Sequence, residues 1–522
     1  MTNDHQTTPT EPTGKGLRPG ALGMASSVIL ATASAAPAYS LAATLTFIVA
    51  YVGFQAPVIV LLAFVPILFV SFGYAALNRA DPDCGTIFTW ASRVLGPRVG
   101  FMGGWAIIAS FVLVMGSLAQ VAGQYVFLLF GADDIGSDAS SPWVLLVGLG
   151  WIALMGLVCY RGIEVAAAVQ RVLLYVEFAM LAIFAGVALV KAYSGNGAPG
   201  SETPHWSWFN PFAIDSANSF VSALVLMLFI YWGWETAVTV TEETADARRI
   251  PGRAATMSTI LLLALYLGAT VATLAFAGIG STGVGLTNPE NSGDVFSALG
   301  HAVFGGSGIG SVAYHLLVLM VLTSAAASTE TTILTLGRTM LSMSSFGAIP
   351  KAFSRIHPRY RVPTVGTILT ALAGATFYVI MNFLADGQVI GDAVSSCGLM
   401  IAFYYGLTGL TSAWAHRGVA GGARVRWMRC ILPAIGGLVL VAAGLWSLRN
   451  NWSPESSYTT WTLPFGPHWE IGGVFIIGVL TMLLGLVLMA IWSRRAPEFF
   501  DEGLPPLDAD DLGREPVGQE RA

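Results

Sequence analysis

The chain has 522 residues, 55% of them apolar and only 11% charged, with a formal net charge of −5. A folded soluble surface needs roughly 25% charged residues, so a soluble enzyme is excluded. The mean hydropathy of +0.68 and recurring apolar runs of about 20 residues predict instead an all-α, polytopic membrane protein, and the 25 basic residues form no stripe that would meet a nucleic acid.

In chain order, residues 1–20 are polar and read as a disordered tail. Spans are then predicted near Leu22 to Val52, Pro57 to Leu77, Val99 to Phe130, Pro142 to Tyr160, Ile163 to Ala192, Ser216 to Thr241 and Gly252 to Ala277. Five more follow, near Ile309 to Met343, Thr364 to Leu384, Ile390 to Ala415, Met428 to Leu448 and Gly472 to Trp492, making twelve transmembrane helices. Residues 496–522, with Asp501, Asp508, Asp510 and Asp511, form an acidic and disordered tail.

Placing the amino terminus in the cytoplasm puts 23 of the 25 lysines and arginines inside and leaves only Lys191 and Arg449 outside. One missed helix would swap every later loop, so this asymmetry supports the span count, with both termini cytoplasmic and the chain in the cell membrane. Lys15 and Arg18 ahead of Ala31-Thr32-Ala33 mimic a cleavable signal. The apolar run continues to Val52, however, and cleavage would invert the basic asymmetry. Cys84, Cys159, Cys397 and Cys430 all fall in spans or on the inner side, so no disulfide is expected.

Between the spans, Gly85 to Leu95 (with Ile87, Phe88 and Trp90) and Pro350 to Ile356 (with Phe353) read as short amphipathic helices along the inner leaflet. Gly278-Ile-Gly280-Ser-Thr-Gly283 matches a dinucleotide pattern formally, but no strand precedes it and it reads as a flexible linker. Walker lysine, H-E-x-x-H and G-x-S-x-G motifs do not occur, so no enzyme, cofactor or metal chemistry is expected.

Two helices carry backbone irregularity at mid-depth. In the first span, Ser34-Ala35-Ala36-Pro37 places a proline after small residues; in the sixth, Tyr231-Trp232-Gly233-Trp234-Glu235 places a glycine beside an acid. Freed backbone groups in hydrocarbon must line protein or a polar cavity. Spaced five helices apart, the two breaks fit inverted repeats of five helices with a binding site between them. Pro37 as a simple kink and Gly233 as a packing residue are the alternatives.

Intramembrane acids add to this. Glu177 in the fifth span and Glu330 in the eighth lie too deep to snorkel, so each is a proton-relay candidate, or else a structural carboxyl bonded to a neighbouring helix. Glu242 and Glu243 lie at the inner end of the sixth span near Arg248 and Arg249, where solvated ion pairing is expected.

Several blocks are familiar: Gly85 with Phe88 and Gly96; Gly233-Trp234-Glu235 followed by Glu242-Glu243-Thr244 and Arg248-Arg249-Ile250-Pro251; Arg338; Ile349-Pro350-Lys351; and His357-Pro358-Arg359 with Pro363. Over about residues 20–500 the chain resembles the bacterial amino acid permease branch of the amino acid, polyamine and organocation transporter superfamily. The resemblance implies a ten-helix, five-plus-five inverted-repeat core (21–416) with interrupted helices one and six, two accessory helices (417–495), and alternating access. It places substrate contacts at Ser34, Ala35, Ala36, Pro37, Phe229, Trp232, Gly233 and Glu235. Two departures stand out. The family's G-x-G at the first break is Ser34-Ala35-Ala36-Pro37, against a standard α-carboxylate mode, and Glu177 stands where some members carry a lysine.

The function expected is a secondary active permease importing an amino acid or related amine, proton-coupled through Glu177, Thr329 and Glu330. Its partners are then the small-molecule substrate, a proton or a sodium ion, and membrane lipid. A sodium symporter or exchanger of the same fold, and a transport-inactive sensor, are the alternatives.

Overall fold

The computed structural model describes residues 14–291, 294–418, 422–463, 466–507 and 511–512. It is almost wholly helical: α1 Met24–Ser34, α2 Pro37–Val52, α3 Ala56–Ala80, α4 Ile87–Val94, α5 Pro97–Leu129, α6 Asp133–Gly136, α7 Pro142–Tyr160, α8 Ile163–Tyr193 and α9 Ala217–Ile230. Then come α10 Thr236–Thr239, α11 Ile250–Ala277, α12 Val295–Phe304, α13 Ile309–Ser345, α14 Thr364–Asn382, α15 Val389–Ala415, α16 Ala423–Arg426, α17 Leu432–Asn450 and α18 Gly473–Arg495. A hairpin pairs β1 Thr460–Thr462 with β2 Glu470–Gly472.

Among the described residues ten apolar helical stretches are long enough to cross a membrane; the first, Met24–Ala80, is 57 residues and contains α1, α2 and α3. The expected sixth span does not qualify as one helix, because it is interrupted after the 14-residue α9. The bundle is organised around α13, in which every residue from Met320 to Ser344 is buried. A helix covered on all sides is central, so the polar residues of α13 face other helices rather than lipid.

Both interruptions have local causes. Pro37 has no N–H to continue α1, but its fixed φ suits the first position of a new helix. Ala35 and Ala36 close α1 by donating to Thr32 O and Ala33 O, and Ala36 turns to φ +45° before α2 begins. In the sixth span Gly233 adopts φ +112°, a conformation open to glycine and costly for other residues.

Several expectations are corrected. Ile87 to Ser92 of α4 are all buried, and Phe499 stacks on Phe88; α4 is thus an internal element rather than one lying on the leaflet, its polar face covered as well, with Thr89 Oγ1 donating to Thr86 O and Ser92 Oγ to Phe88 O. Lys351–Ser354 is a single 3₁₀ turn. The Gly278–Gly283 segment is held as an ordered turn: Leu286 N donates to Gly278 O, and the Asn288 and Asn291 side chains donate to Gly283 O at 2.7 and 2.8 Å. The apolar α12 that follows had no counterpart in the hydropathy reading.

The tails also differ from their compositional reading where they are described. Leu17 is buried and Lys15 is ion-paired, while Phe499 and Phe500 are 4% and 3% exposed. Residues 1–13 and 513–522, together with Asp508 and Asp510, lie outside the described residues. All four cysteines are free thiols.

Candidate functional site at two interrupted helices

The breaks expected from the sequence face one another. Ser34 Oγ and Thr236 Oγ1 are 2.8 Å apart, and Ser328 of α13 donates to Ser34 O at 3.1 Å. Thr335, two turns further along α13, lies 3.1 Å from Thr236 Oγ1. Thus α13 presents a ladder of hydroxyls on which the ends of α1 and α10 dock. Ser34, Ala35, Ala36, Pro37, Trp232, Gly233 and Glu235 are all buried there, and Phe229 is half-buried, packed at 6.2 Å from Trp232.

The freed amides at the start of α2 are taken by side chains. Ala38 N donates to Glu177 Oε1 at 2.8 Å, Tyr39 N donates to Ser324 Oγ at 3.2 Å, and Ser324 Oγ donates to the same Glu177 oxygen at 2.8 Å. A carboxylate at a helix N-terminus is favoured by the unpaired N–H groups and the dipole. Glu177 Oε2 is buried and without a protein partner.

Glu235 is caged. Tyr404 Oη donates to Oε1 at 2.6 Å, Trp232 Nε1 to Oε1 at 3.1 Å and Gly233 N to Oε2 at 3.1 Å, while Tyr405 Oη makes a short bond to Oε2. The two tyrosines are adjacent on α15 and approach the carboxylate from different sides. Among the described residues, no lysine or arginine is a partner of Glu177 or Glu235. Both acids sit beside the breaks with only hydrogen bonds to compensate their burial.

Other expected members are placed elsewhere. Glu330 lies six residues beyond Ser324 on α13, about 9 Å along the axis, with both carboxylate oxygens buried and without a hydrogen-bond partner. Among the described residues no hydrogen bond joins it to Glu177. Thr329 Oγ1 donates to Ala325 O of its own helix, so the hydroxyls facing the break are those of Ser324 and Ser328.

The end of the bundle that carries Lys15 and Asp511, the terminal face, is closed by charge. Lys15 Nζ lies 2.6 Å from both Asp83 Oδ2 and Glu242 Oε1. Asp83 Oδ1 also accepts from Ser342 Oγ at 2.6 Å and Gly85 N at 2.7 Å. Burial opposes ionisation at both ends of the Lys15–Asp83 pair, yet mutual attraction holds the ammonium above the usual lysine range and Asp83 below its ordinary value. Asp83, Cys84 and Glu242 have the spacing of a metal site, but the Lys15 ammonium already supplies the cation.

The solvated pairing expected of Glu242 and Glu243 does not occur. Glu243 is fully buried and bonds Arg338 Nε at 2.5 Å, while Arg248 pairs with Asp511. The turn after α10 folds inward because Leu22 N donates to Glu243 O and Ala245 N to Leu22 O, tying the entry to α1 to the exit from helix six. Glu243→Gln should lower stability by about 3–5 kcal/mol, since it strands a buried guanidinium. Adding Arg338→Met should recover much of that loss, as read by thermal unfolding in detergent; equal melting of wild type and Glu243→Gln would refute the pairing.

Sequence reasoning missed Lys15, Asp83, Ser324, Tyr404 and Tyr405. Only the consecutive tyrosines inside an apolar span offered a local signal.

Comparison with known proteins gives a consistent result. Residues 22–467 match the model of the amino acid permease family. The low-affinity putrescine importer PlaP of Escherichia coli (strain K12) is 23% identical over 390 residues, covering 74% of this chain and 78% of the relative. The mitochondrial cationic amino acid transporter 3 of Arabidopsis thaliana is 25% identical over 343 residues, 64% of this chain and 52% of the relative. The branched-chain amino acid permease BcaP of Bacillus subtilis (strain 168) is 22% identical over 331 residues, 59% and 64% respectively.

Proposed function

The chain belongs to the amino acid permease family, and from that premise we propose that it imports an amino acid or related amine across the cell membrane, coupled to protons, recognising the substrate chiefly through its ammonium group. The 57-residue stretch then crosses twice and α9 with α10 crosses once, giving twelve spans, with both termini cytoplasmic and helices one to ten arranged as inverted repeats.

One observation carries the substrate reading: the two breaks present two buried carboxylates, Glu177 and Glu235, and, among the described residues, no buried cation. The amides that an α-carboxylate would need at the start of α2 are already engaged by Glu177 and Ser324. A positively charged group is the complement such a site favours. Entry of an ammonium displaces a tyrosine hydroxyl from Glu235, and the half-buried Phe229 beside Trp232 stands ready to cover the substrate.

Uptake of radiolabelled amino acids and diamines into proteoliposomes, with imposed pH or sodium gradients, tests both parts. Glu235→Gln should raise the KM for an amine substrate about 30-fold or more, the consequence of removing one partner of a buried charge pair worth about 2 kcal/mol or above. Expression and melting should stay near wild type. Unchanged uptake kinetics would remove Glu235 from recognition, and accumulation driven by sodium but not by pH would replace the proton.

A further inference from the structure

We infer that the described residues after α18, 496–507 with Asp511 and Leu512, act as a strap that holds the terminal face closed and thereby restrains turnover. The strap begins with Phe499 and Phe500, both nearly fully buried. Phe499 stacks on Phe88 of α4, and Phe500 lies 5.6 Å from Phe101 of α5. A surface tail has no reason to bury two adjacent phenylalanines unless their seating stabilises what lies beneath.

What lies beneath is the closed gate. Phe88 packs 6.3 Å from Phe346 at the end of α13. Phe346 is in turn the ring over which Lys15 and Arg93 place their cations, at 5.4 and 5.7 Å. Lys15 is the residue that bridges Asp83 and Glu242. Arg93 pairs with Asp81 at 2.9 Å and donates to Pro505 O of the strap at 2.9 Å.

Asp511 and Leu512 reach residues far from α4 in the chain. Asp511 pairs with Arg248 at 3.1 Å in the turn that leaves helix six, and Arg429 donates to Leu512 O at 2.9 Å. The strap residues therefore touch α4, reach the ring under Lys15 through Phe88 and Arg93, and meet the turn after α10. The Lys15 bridges to Asp83 and Glu242 must separate before the site can open at this end. A strap that served only to anchor α18 would need the two phenylalanines but not the bond to Arg248.

The strap matters for turnover only if the chain alternates between faces, as proposed above, so its test uses a readout that needs no substrate. Cys84 is fully buried behind Lys15, and its thiol becomes accessible only when the terminal face opens. The rate of its alkylation by N-ethylmaleimide, followed by peptide mass spectrometry on the full-length protein in proteoliposomes, reports that opening. Arg248→Gln and Asp511→Asn should each label Cys84 about two- to fivefold faster, as befits an exposed ion pair. The charge-swapped pair Arg248→Asp with Asp511→Arg should return towards the wild-type rate. Phe499→Ser with Phe500→Ser should speed labelling by on the order of tenfold or more. Should that double variant fail to fold, the exposed Arg248 and Asp511 variants still decide. Wild-type labelling rates in those charge variants would overturn the strap. Faster labelling in a protein that takes up no amine or amino acid would uphold the strap and reject the transport reading instead.

Discussion

Gly233→Leu is expected to abolish uptake, and even Gly233→Ala should reduce it at least a hundredfold. A Cβ at residue 233 would stand 2.7 Å from Ser34 C, 2.8 Å from Ser34 O and 2.9 Å from Ala35 N. These are backbone atoms of the first break, which cannot rotate aside as a side chain can. The φ of +112° adds a conformational cost of about 1–3 kcal/mol for any residue with a Cβ. The chain can relieve both only by moving the two breaks apart, which dismantles the surface shared by Ser34, Thr236 and Ser328. Since Gly233 N also donates to Glu235, the same movement disturbs the tyrosine cage. Uptake of the wild-type substrate into proteoliposomes, alongside melting in detergent, separates loss of the site from loss of the fold. A Gly233→Ala variant with wild-type KM and rate would show that the close approach of the breaks has no part in binding.

The positions of the breaks were legible because their cause is local. A proline after small residues and a glycine between tryptophans constrain their own backbone, whatever surrounds them. The helix ends were legible for a similar reason, since apolar runs end where water begins. Facing partners were not. Thr329 and Ser328 are adjacent, about 100° apart around the helix, and without a neighbour in view nothing in the run Ser324-Ala-Ala-Ala-Ser328-Thr329-Glu330 says which hydroxyl faces α1. Which neighbours Glu177 and Glu330 meet was equally hidden, because both spans offer an acid while the relative height of the two helices is a property of packing.

Charge posed the opposite difficulty. Glu242, Glu243, Arg248 and Arg249 are close in sequence, and proximity suggested that they pair. The actual partners of Glu242, Glu243 and Arg248 are Lys15, Arg338 and Asp511, remote in the chain and brought together by the inward turn after α10. Composition hides the packing of the described tail residues for a related reason: a polar segment with a few apolar residues has the statistics of disorder, but Leu17, Phe499 and Phe500 each find a prepared apolar seat.

Glu177→Gln should uncouple transport while leaving the site assembled. The glutamine carbonyl can still accept from Ala38 N and Ser324 Oγ, so the start of α2 keeps its side-chain acceptor. What is lost is the second carboxylate oxygen, buried and open in the wild type, where the proposed coupling has a proton add and leave as the site alternates. Exchange of internal for external substrate should therefore persist near the wild-type rate, whereas accumulation driven by a pH gradient should fall at least tenfold. Glu177→Ala should behave differently. It strips the acceptor from Ala38 N and leaves a buried amide unpaired, a cost of about 1–3 kcal/mol, so both exchange and accumulation should decline together with melting temperature. The contrast between the two substitutions distinguishes a proton carrier from a helix cap: a cap alone is satisfied by glutamine. If Glu177→Gln still concentrates substrate against its gradient with an unchanged pH profile, Glu177 is the cap of α2 and nothing more, and Glu330, with both oxygens unpartnered on α13, becomes the acid to test for proton coupling.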